Sequence, residues 1–142
     1  MCDQLITFHS NNESVEKLTL QLLANKMLEK SEVHYLDLTS DSNRINALLP
    51  ECYYYDNEDA FSSFLTKTKS DLSNRLSLYK NGRSLDGHSY VTVIVSDLQS
   101  DANILSFSNV IAPYMSYHRA VQYSFIVKGF DLKIELKSEY TK

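Results

Sequence analysis

The chain has 142 residues, of which 43% are hydrophobic and 23% charged, and its formal net charge is −4. This length and composition indicate one globular domain that can build a core without disulfides or metals, and they exclude a disordered chain. The acidic balance argues against a nucleic-acid binder and against a polybasic membrane anchor, and no apolar run is long enough for a transmembrane segment or signal peptide.

Residue counts narrow the possible sites further. Two cysteines, Cys2 and Cys52, are too few for a disulfide framework or a zinc site, which favours a reducing, cytoplasmic setting. The four histidines lack metal-ligand spacing, so no metal site is predicted. Only three glycines are present, which leaves few places where the backbone can approach a phosphate closely.

The first part of the chain has the pattern of a strand, a helix and a second strand. Residues 5–8 and 33–38 are rich in β-branched, aromatic and leucine side chains, as in strands. The helix predicted over residues 14–30 carries apolar residues at helical spacing, which predicts one buried face: Val15, Leu18, Leu22, Leu23 and Met27, with Leu28. This order predicts two paired parallel strands joined by a right-handed crossover.

The remaining elements continue the alternation of strands and helices. The run at residues 90–95 is almost continuously apolar, which is typical of a strand buried on both faces of a parallel sheet. Pro113 is expected to interrupt the last helix. At residues 130–136, apolar and polar side chains alternate, which predicts an edge strand or, as an alternative, a helix. The other strands are predicted at residues 52–55 and 122–127, and helices at 60–78 and 100–119. Either Ser100 or Asp101 is expected to cap the last helix.

The alternation predicts an α/β domain with a mostly parallel sheet and helices on both faces. No internal repeat or linker is present, so a single domain over residues 1–142 is expected. In such a domain, ligands bind beyond the carboxyl ends of the strands.

The residues that follow the first strand are a candidate anion site. Ser10, Asn12 and Ser14 offer hydroxyl, amide and backbone N–H groups at a helix N-terminus, where the helix dipole favours an anion. Glu13 would repel a phosphate, and the segment contains no glycine. The alternative is that Ser14 or Asn12 simply caps the helix.

Two further segments lie at the same predicted edge. The rings of Tyr53 and Tyr54 could stack on a planar ligand, or they could belong to a strand whose alternate rings enter the core. The carboxylates at residues 96–101 could bind a sugar hydroxyl or act as acid and base, although such residues more often cap helices. No catalytic residue is predicted.

In chain order, these segments resemble the flavodoxin-like NAD(P)H oxidoreductases, and within them the FMN-dependent NADH azoreductase and quinone reductase group. Three stretches carry the resemblance: the serine-containing loop and following strand at residues 10–38, the helix, turn and strand at 65–96, and Ala112-Pro113-Tyr114-Met115 with Phe125-Ile126 and Gly129. The chain is shorter than members of this family, with one helix shortened or lost.

The resemblance implies a flavodoxin-like three-layer α/β/α fold and an enzyme that passes hydride from NAD(P)H through FMN to a small acceptor such as a quinone or azo dye. It implies that Ser10, Asn12 and Ser14 hold the FMN phosphate, that Tyr53 and Tyr54 contact the flavin ring, and that Ser96 and Gln99 meet its polar edge. It also implies a homodimer with the site at the interface.

Some residues depart from the family pattern and favour another hypothesis. The family's glycine-rich loop after the fourth strand is replaced here by Ser96-Asp97-Leu98-Gln99, which adds bulk and negative charge. Together with Glu13, this favours a non-catalytic domain that has lost FMN and acts through protein contacts. A thioredoxin-like domain is a third alternative, but no Cys-x-x-Cys follows the first strand.

Overall fold

The computed structural model describes residues 5–8, 13–39 and 47–128, with side-chain environments for residues 15–39 and 47–127. Its elements, in chain order, are β1 (Leu5–Phe8), α1 (Glu13–Met27), β2 (Glu32–Asp37), β3 (Tyr53–Tyr55), α2 (Glu58–Lys80), β4 (Val91–Asp97), α3 (Asp101–Ile111), a 3₁₀ helix (Ala112–Tyr117), α4 (His118–Val121) and β5 (Tyr123–Lys128). Residues 130–136, for which an edge strand or a helix is predicted, lie outside the described residues. Because the description does not cover the whole chain, the single domain over residues 1–142 stays a prediction.

The described strands form one parallel sheet in the order β1-β5-β4-β2-β3. The central strand β4 is buried from Val91 to Ser96, as its continuous apolar run predicts. The predicted pairing of β1 with β2 is wrong, because β5 and β4 lie between them. Which strands become neighbours depends on the packing of the whole sheet, so two strands joined by one helix need not pair.

Helices cover both faces of the sheet, which confirms the predicted three-layer α/β/α architecture. On one face, α1 packs over a core that includes Leu20, Val33 and Ile94. On the other face, α2 and α3 enclose a larger core that includes Leu72 and Phe107.

The helix boundaries follow local side-chain chemistry. The Asn57 side chain caps α2 by accepting a hydrogen bond from the backbone N–H of Ala60 at 2.8 Å. Ser100 caps α3 by accepting from Asn103 N–H at 3.2 Å, which confirms one of the two predicted caps. The α-helical hydrogen bonding stops before Pro113, which lies near the start of the 3₁₀ helix, as expected.

The predicted buried face of α1 is only partly correct: Met27 is buried and Leu23 and Leu28 are half-buried against the core, but the other three residues assigned to this face are exposed. Its apolar residues Val15, Leu18 and Leu22 are 38 to 54% exposed, whereas the buried face carries Lys17 and Gln21. The other buried residues of this helix are Glu16, Leu20, Ala24 and Met27. Helical spacing shows that one face is apolar, but only the packing of α1 on β2 and β4 decides which face turns inward.

Candidate functional site

The carboxyl end of β4 opens into a cavity of about 380 Å³, which we call the carboxyl-edge cavity. Its lining residues follow one another along the chain: Ser96, Asp97, Leu98, Gln99, Ser100 and Asp101, with Ile104 from the second turn of α3. The site is therefore built from one strand end, one loop and one helix start, which is where parallel sheets bind ligands.

The loop in this cavity is shaped by an aspartate. The Asp97 carboxylate accepts a hydrogen bond from the backbone N–H of Gln99 at 2.7 Å, and Gln99 adopts the left-handed conformation with φ of 72°. The Ser100 N–H then bonds to the Leu98 carbonyl at 2.9 Å. The Asn103 side chain donates to the same carbonyl at 2.8 Å, which ties the loop to α3.

The described residues that line the carboxyl-edge cavity carry negative charge. Asp97 and Asp101 contribute two carboxylates, and none of these described lining residues is a lysine or an arginine. A phosphate would meet like charges on them, whereas a hydroxyl group or a cation would meet acceptors. This part of the lining can therefore hold a polar or cationic group.

A buried lysine near this edge is paired with an aspartate of the same chain. Lys17 of α1 extends beneath the helix to Asp37 at the end of β2, with 3.7 Å between Nζ and Oδ2, and the two side chains are 2% and 0% exposed. Asp37 also accepts a hydrogen bond from the Thr39 N–H at 3.2 Å. The Leu38 N–H bonds to the Asp97 carbonyl at 2.8 Å, so the buried ion pair lies beside the strand end that opens into the cavity.

Two of the three predicted phosphate-binding residues are not among those that the structure describes. Ser10 and Asn12 lie outside the described residues. Ser14 lies in the first turn of α1, which begins at Glu13, so it does not hold the cap position.

The other predicted site residues are distributed over both faces of the sheet. Ser96 and Gln99 meet at the carboxyl-edge cavity, although the Ser96 side chain is buried. Tyr53 stacks on His34 on the α2 side, whereas Tyr54 packs against Tyr35 on the α1 side. Neighbouring residues of a strand point to opposite faces, so these two tyrosines do not form one wall for a planar ring.

Lys17 and His34 are not among the predicted site residues. Lys17 has a usable signal, because it shares a helical face with Leu20 and Ala24 and so is placed for burial. His34 also has a sequence signal. It lies two residues before Leu36 and therefore on the same face of β2, which is the face that meets α2.

Within residues 5–8, 13–39 and 47–128, no three His, Cys, Asp or Glu side chains lie together as a metal site would need. None of the helices in these ranges combines the length and apolar character needed to cross a bilayer.

The fold is shared with three solved structures. The pCW3 conjugation coupling protein TcpA, in its monomer form with ATPγS, matches with a TM-score of 0.71 and 11% identity over 97% of this chain and 47% of that chain. EssC (ATPases 2 and 3) from Geobacillus thermodenitrificans matches with a TM-score of 0.64 and 11% identity over 97% of this chain and 30% of that one. The cytoplasmic domain of EssC matches with a TM-score of 0.60 and 16% identity over 98% of this chain and 30% of that chain.

At such low identities, these matches establish a common fold only. The chain spans less than half the length of each solved structure that it matches. No protein-family model matches the sequence. No curated protein matches it either.

These matches correct the family resemblance. The structures that share the fold are ATPases and a coupling protein bound to an ATP analogue, so the assignment to flavodoxin-like NAD(P)H oxidoreductases is wrong, and so are the oxidoreductase function and the description as a flavoprotein. The flavodoxin strand order 2-1-3-4-5 also differs from the order found here, in which β1 follows β5. The resemblance rested on short segments common to many α/β domains. Binding of FMN or NAD(P)H stays a prediction.

Proposed function

We propose that this chain is an ATPase-fold domain that does not hydrolyse nucleotide and that acts by associating through α1 with another domain of the same fold, in the simplest case a second copy of itself. The orientation of α1 carries this proposal, because one rotation of the helix both buries Lys17 and exposes Val15, Leu18 and Leu22. A cytoplasmic location is part of the proposal and is supported by the low cysteine content.

The absence of a phosphate loop in the sequence supports the non-hydrolysing role. P-loop enzymes place Gly-x-x-x-x-Gly-Lys-Ser/Thr between a strand and a helix, with the lysine reaching the phosphates. Only residues 9–12, His-Ser-Asn-Asn, separate β1 from α1, and no glycine of the chain is followed by lysine. Lys17, four residues into α1, is held by Asp37 and so does not take the place of the missing lysine.

The exposed side of α1 supports the association. Val15, Leu18 and Leu22 follow one another at intervals of three and four residues, so they form one stripe along the helix. We call these three residues the α1 stripe. A surface helix of a globular protein usually turns its apolar stripe inward, and exposed apolar patches commonly mark protein interfaces.

A partner of the same fold is favoured by the proteins that share it. One of the matching chains is described as holding ATPases 2 and 3, so ATPase domains occur together there in one polypeptide. This chain matches 30% of that polypeptide, about the share of one such domain with room for others.

A nucleotide-binding assay tests the first half of the proposal. We expect Mg-ATP and Mg-ADP to bind more weakly than about 1 mM in isothermal titration calorimetry, because the sequence has no Gly-x-x-x-x-Gly-Lys loop for the phosphates. Phosphate release above the buffer rate is not expected. Hydrolysis that disappears in Asp97→Asn would contradict the proposal, since an aspartate at a strand end holds Mg²⁺ in P-loop enzymes.

Sedimentation equilibrium tests the second half of the proposal, the association through α1. We expect a monomer–dimer equilibrium in the micromolar range that Leu22→Asp weakens by about tenfold or more, because a charge would be buried against apolar groups. Leu105→Asp is the matched control, since Leu105 is 61% exposed on α3 at the opposite face of the sheet. A chain that stays monomeric at several hundred micromolar, or equal effects of both substitutions, would refute association through α1.

A further inference from the structure

A second cavity, of about 330 Å³, opens between α2 and the amino ends of the strands, and we call it the amino-edge cavity. It lies away from both the carboxyl-edge cavity and the α1 stripe, and it uses residues that the proposed function does not. It is lined by Glu32, His34, Tyr53, Tyr55, Phe64, Lys67, Thr68, Asp71, Arg75 and Tyr123.

A change of polarity along β2 creates this cavity. On the side of β2 that meets α2, Leu36 belongs to the apolar core, but the preceding positions on the same side are Glu32 and His34. Two ionisable side chains thus lie beneath α2 where an ordinary strand would continue the apolar core. Polar groups at such a position lose hydration, which is tolerated when they find partners.

Aromatic rings form one wall of the cavity. The His34 ring stacks on Tyr53 with centroids 4.8 Å apart and planes 15° from parallel. Tyr55 lies on the same imidazole at 5.7 Å and 18°, and Phe64 lies 5.6 Å from it. Tyr53 is 54% exposed, so a flat ligand can reach this wall from solvent.

Hydrogen bonds hold His34 in one protonation state. Its Nε2 lies 2.6 Å from a Glu32 carboxylate oxygen and its Nδ1 lies 2.7 Å from the Tyr55 hydroxyl. Burial lowers the pKa of His34, although Glu32 raises it, and burial raises the pKa of Tyr55 to about 12. At neutral pH the imidazole is therefore uncharged, with Nε2–H donating to Glu32 and Nδ1 accepting from the Tyr55 hydroxyl.

The buried cation of the cavity is already engaged. Arg75 Nε lies 2.9 Å from the Asp71 carboxylate, and its NH1 donates to the Val121 carbonyl at 2.9 Å. Its guanidinium lies over the Tyr123 ring, 5.2 Å from the centroid. The Tyr123 hydroxyl donates to the same Asp71 oxygen at 2.6 Å. Arg75 is thereby held in place by groups of its own chain.

The charges open to a ligand are mainly negative. The side chains of Glu32 and Asp71 are 40% and 35% exposed, whereas that of Arg75 is 5% exposed. Lys67, on the exposed side of α2, is the accessible lysine among the lining residues. A ligand entering the cavity therefore meets two carboxylates and an aromatic wall, with one flexible ammonium at the rim.

We propose that the amino-edge cavity binds a guanidinium group, presented by an arginine side chain of a protein partner or by a small guanidinium compound. A guanidinium is planar, so it stacks on Tyr53 while its N–H groups pair with the Glu32 carboxylate. An alkylammonium forms the charge contact but lacks the flat surface and the paired N–H geometry. The internal Arg75–Asp71–Tyr123 arrangement shows the same pairing of guanidinium, carboxylate and ring.

Titration with N-acetyl-arginine methylamide, monitored by NMR at pH 7.5, tests the site. We expect saturable binding with shifts of the His34 ring signals, and binding at least about threefold weaker for the corresponding lysine compound. Glu32→Gln should weaken binding by about tenfold. Lys67→Gln should strengthen it by up to about fivefold, because a competing positive charge is removed.

Matched variants make the result interpretable. Asp101→Asn changes the net charge as Glu32→Gln does, but at the carboxyl-edge cavity, and should leave the affinity unchanged. Tyr53→Ala should lower the affinity by about twofold to fivefold through loss of stacking, and because Tyr53 is largely exposed this variant should keep the fold. Unfolding curves of each variant confirm that the fold is retained.

The outcomes separate the possibilities. Absence of binding at about 10 mM, or equal losses in Glu32→Gln and Asp101→Asn, would overturn the proposal. Weaker binding in Lys67→Gln together with stronger binding in Glu32→Gln would also overturn it, because the site would then prefer an anion. An arginine-containing peptide that binds over about tenfold more tightly than the blocked amino acid would identify a protein source, and equal affinities a small compound.

Discussion

Replacing Lys17 by methionine is expected to lower the free energy of unfolding by about 3 to 5 kcal/mol. The substitution leaves the buried Asp37 carboxylate without the countercharge that now lies 3.7 Å away. Uncompensated charge in a protein interior is strongly unfavourable, whereas the packing lost from the lysine stem is largely replaced by methionine. Urea denaturation followed by circular dichroism measures the change.

Two further variants separate charge from packing at this pair. Lys17→Met combined with Asp37→Asn should recover most of the lost stability, because the amide can still accept the Thr39 N–H bond without a charge. Lys30→Met, at an exposed position after α1, should change stability by less than about 0.5 kcal/mol. A loss below about 1 kcal/mol for Lys17→Met would mean that the pair is not buried as described.

Replacing Phe125 by alanine is expected to lower the free energy of unfolding by about 3 to 5 kcal/mol. Phe125 is buried in β5 and contacts Phe107 of α3 edge to face, with centroids 6.4 Å apart, and stacks on Tyr123 at 5.9 Å. Truncation would remove apolar contacts on both sides and leave a cavity between the sheet and α3. The midpoint and slope of urea unfolding report the loss.

A substitution on the outer side of α3 provides the control for Phe125. Leu105→Ala removes apolar atoms from a side chain that is mostly in solvent, so it should change stability by less than about 0.5 kcal/mol. Comparable losses for the two variants would contradict the assignment of Phe125 to the core and of Leu105 to the surface.

Local elements were predictable because their causes are local. The continuous apolar run of β4 marked a strand buried on both faces, and the structure places it at the centre of the sheet. Ser100 acted as a cap because its hydroxyl reaches the N–H three residues on. Pro113 ended the α-helical bonding because proline has no N–H. Each feature involves residues close together in the chain.

The amino-edge cavity and its aromatic wall were less predictable, because they depend on the three-dimensional arrangement of the strands. Tyr53 and Tyr54 are neighbours in the chain, but alternation along β3 sends them to opposite faces. The amino-edge cavity joins β2, β3, α2 and β5, which are far apart in sequence. The aromatic wall of this cavity is built on His34, and the residue type alone does not distinguish a histidine in a site from a solvated or structural one.

The order of strands and helices, the layered α/β class and the lack of a Gly-Lys phosphate loop follow from the sequence alone, because they depend on periodicity, turn chemistry and the residues present. The position of β1 beside β5 depends on tertiary packing, and so does the rotation of α1 that turns Lys17 toward Asp37 while the α1 stripe faces outward. The reason is physical. A helix can bury either face if the partners it meets satisfy that face, and those partners come from strands elsewhere in the chain.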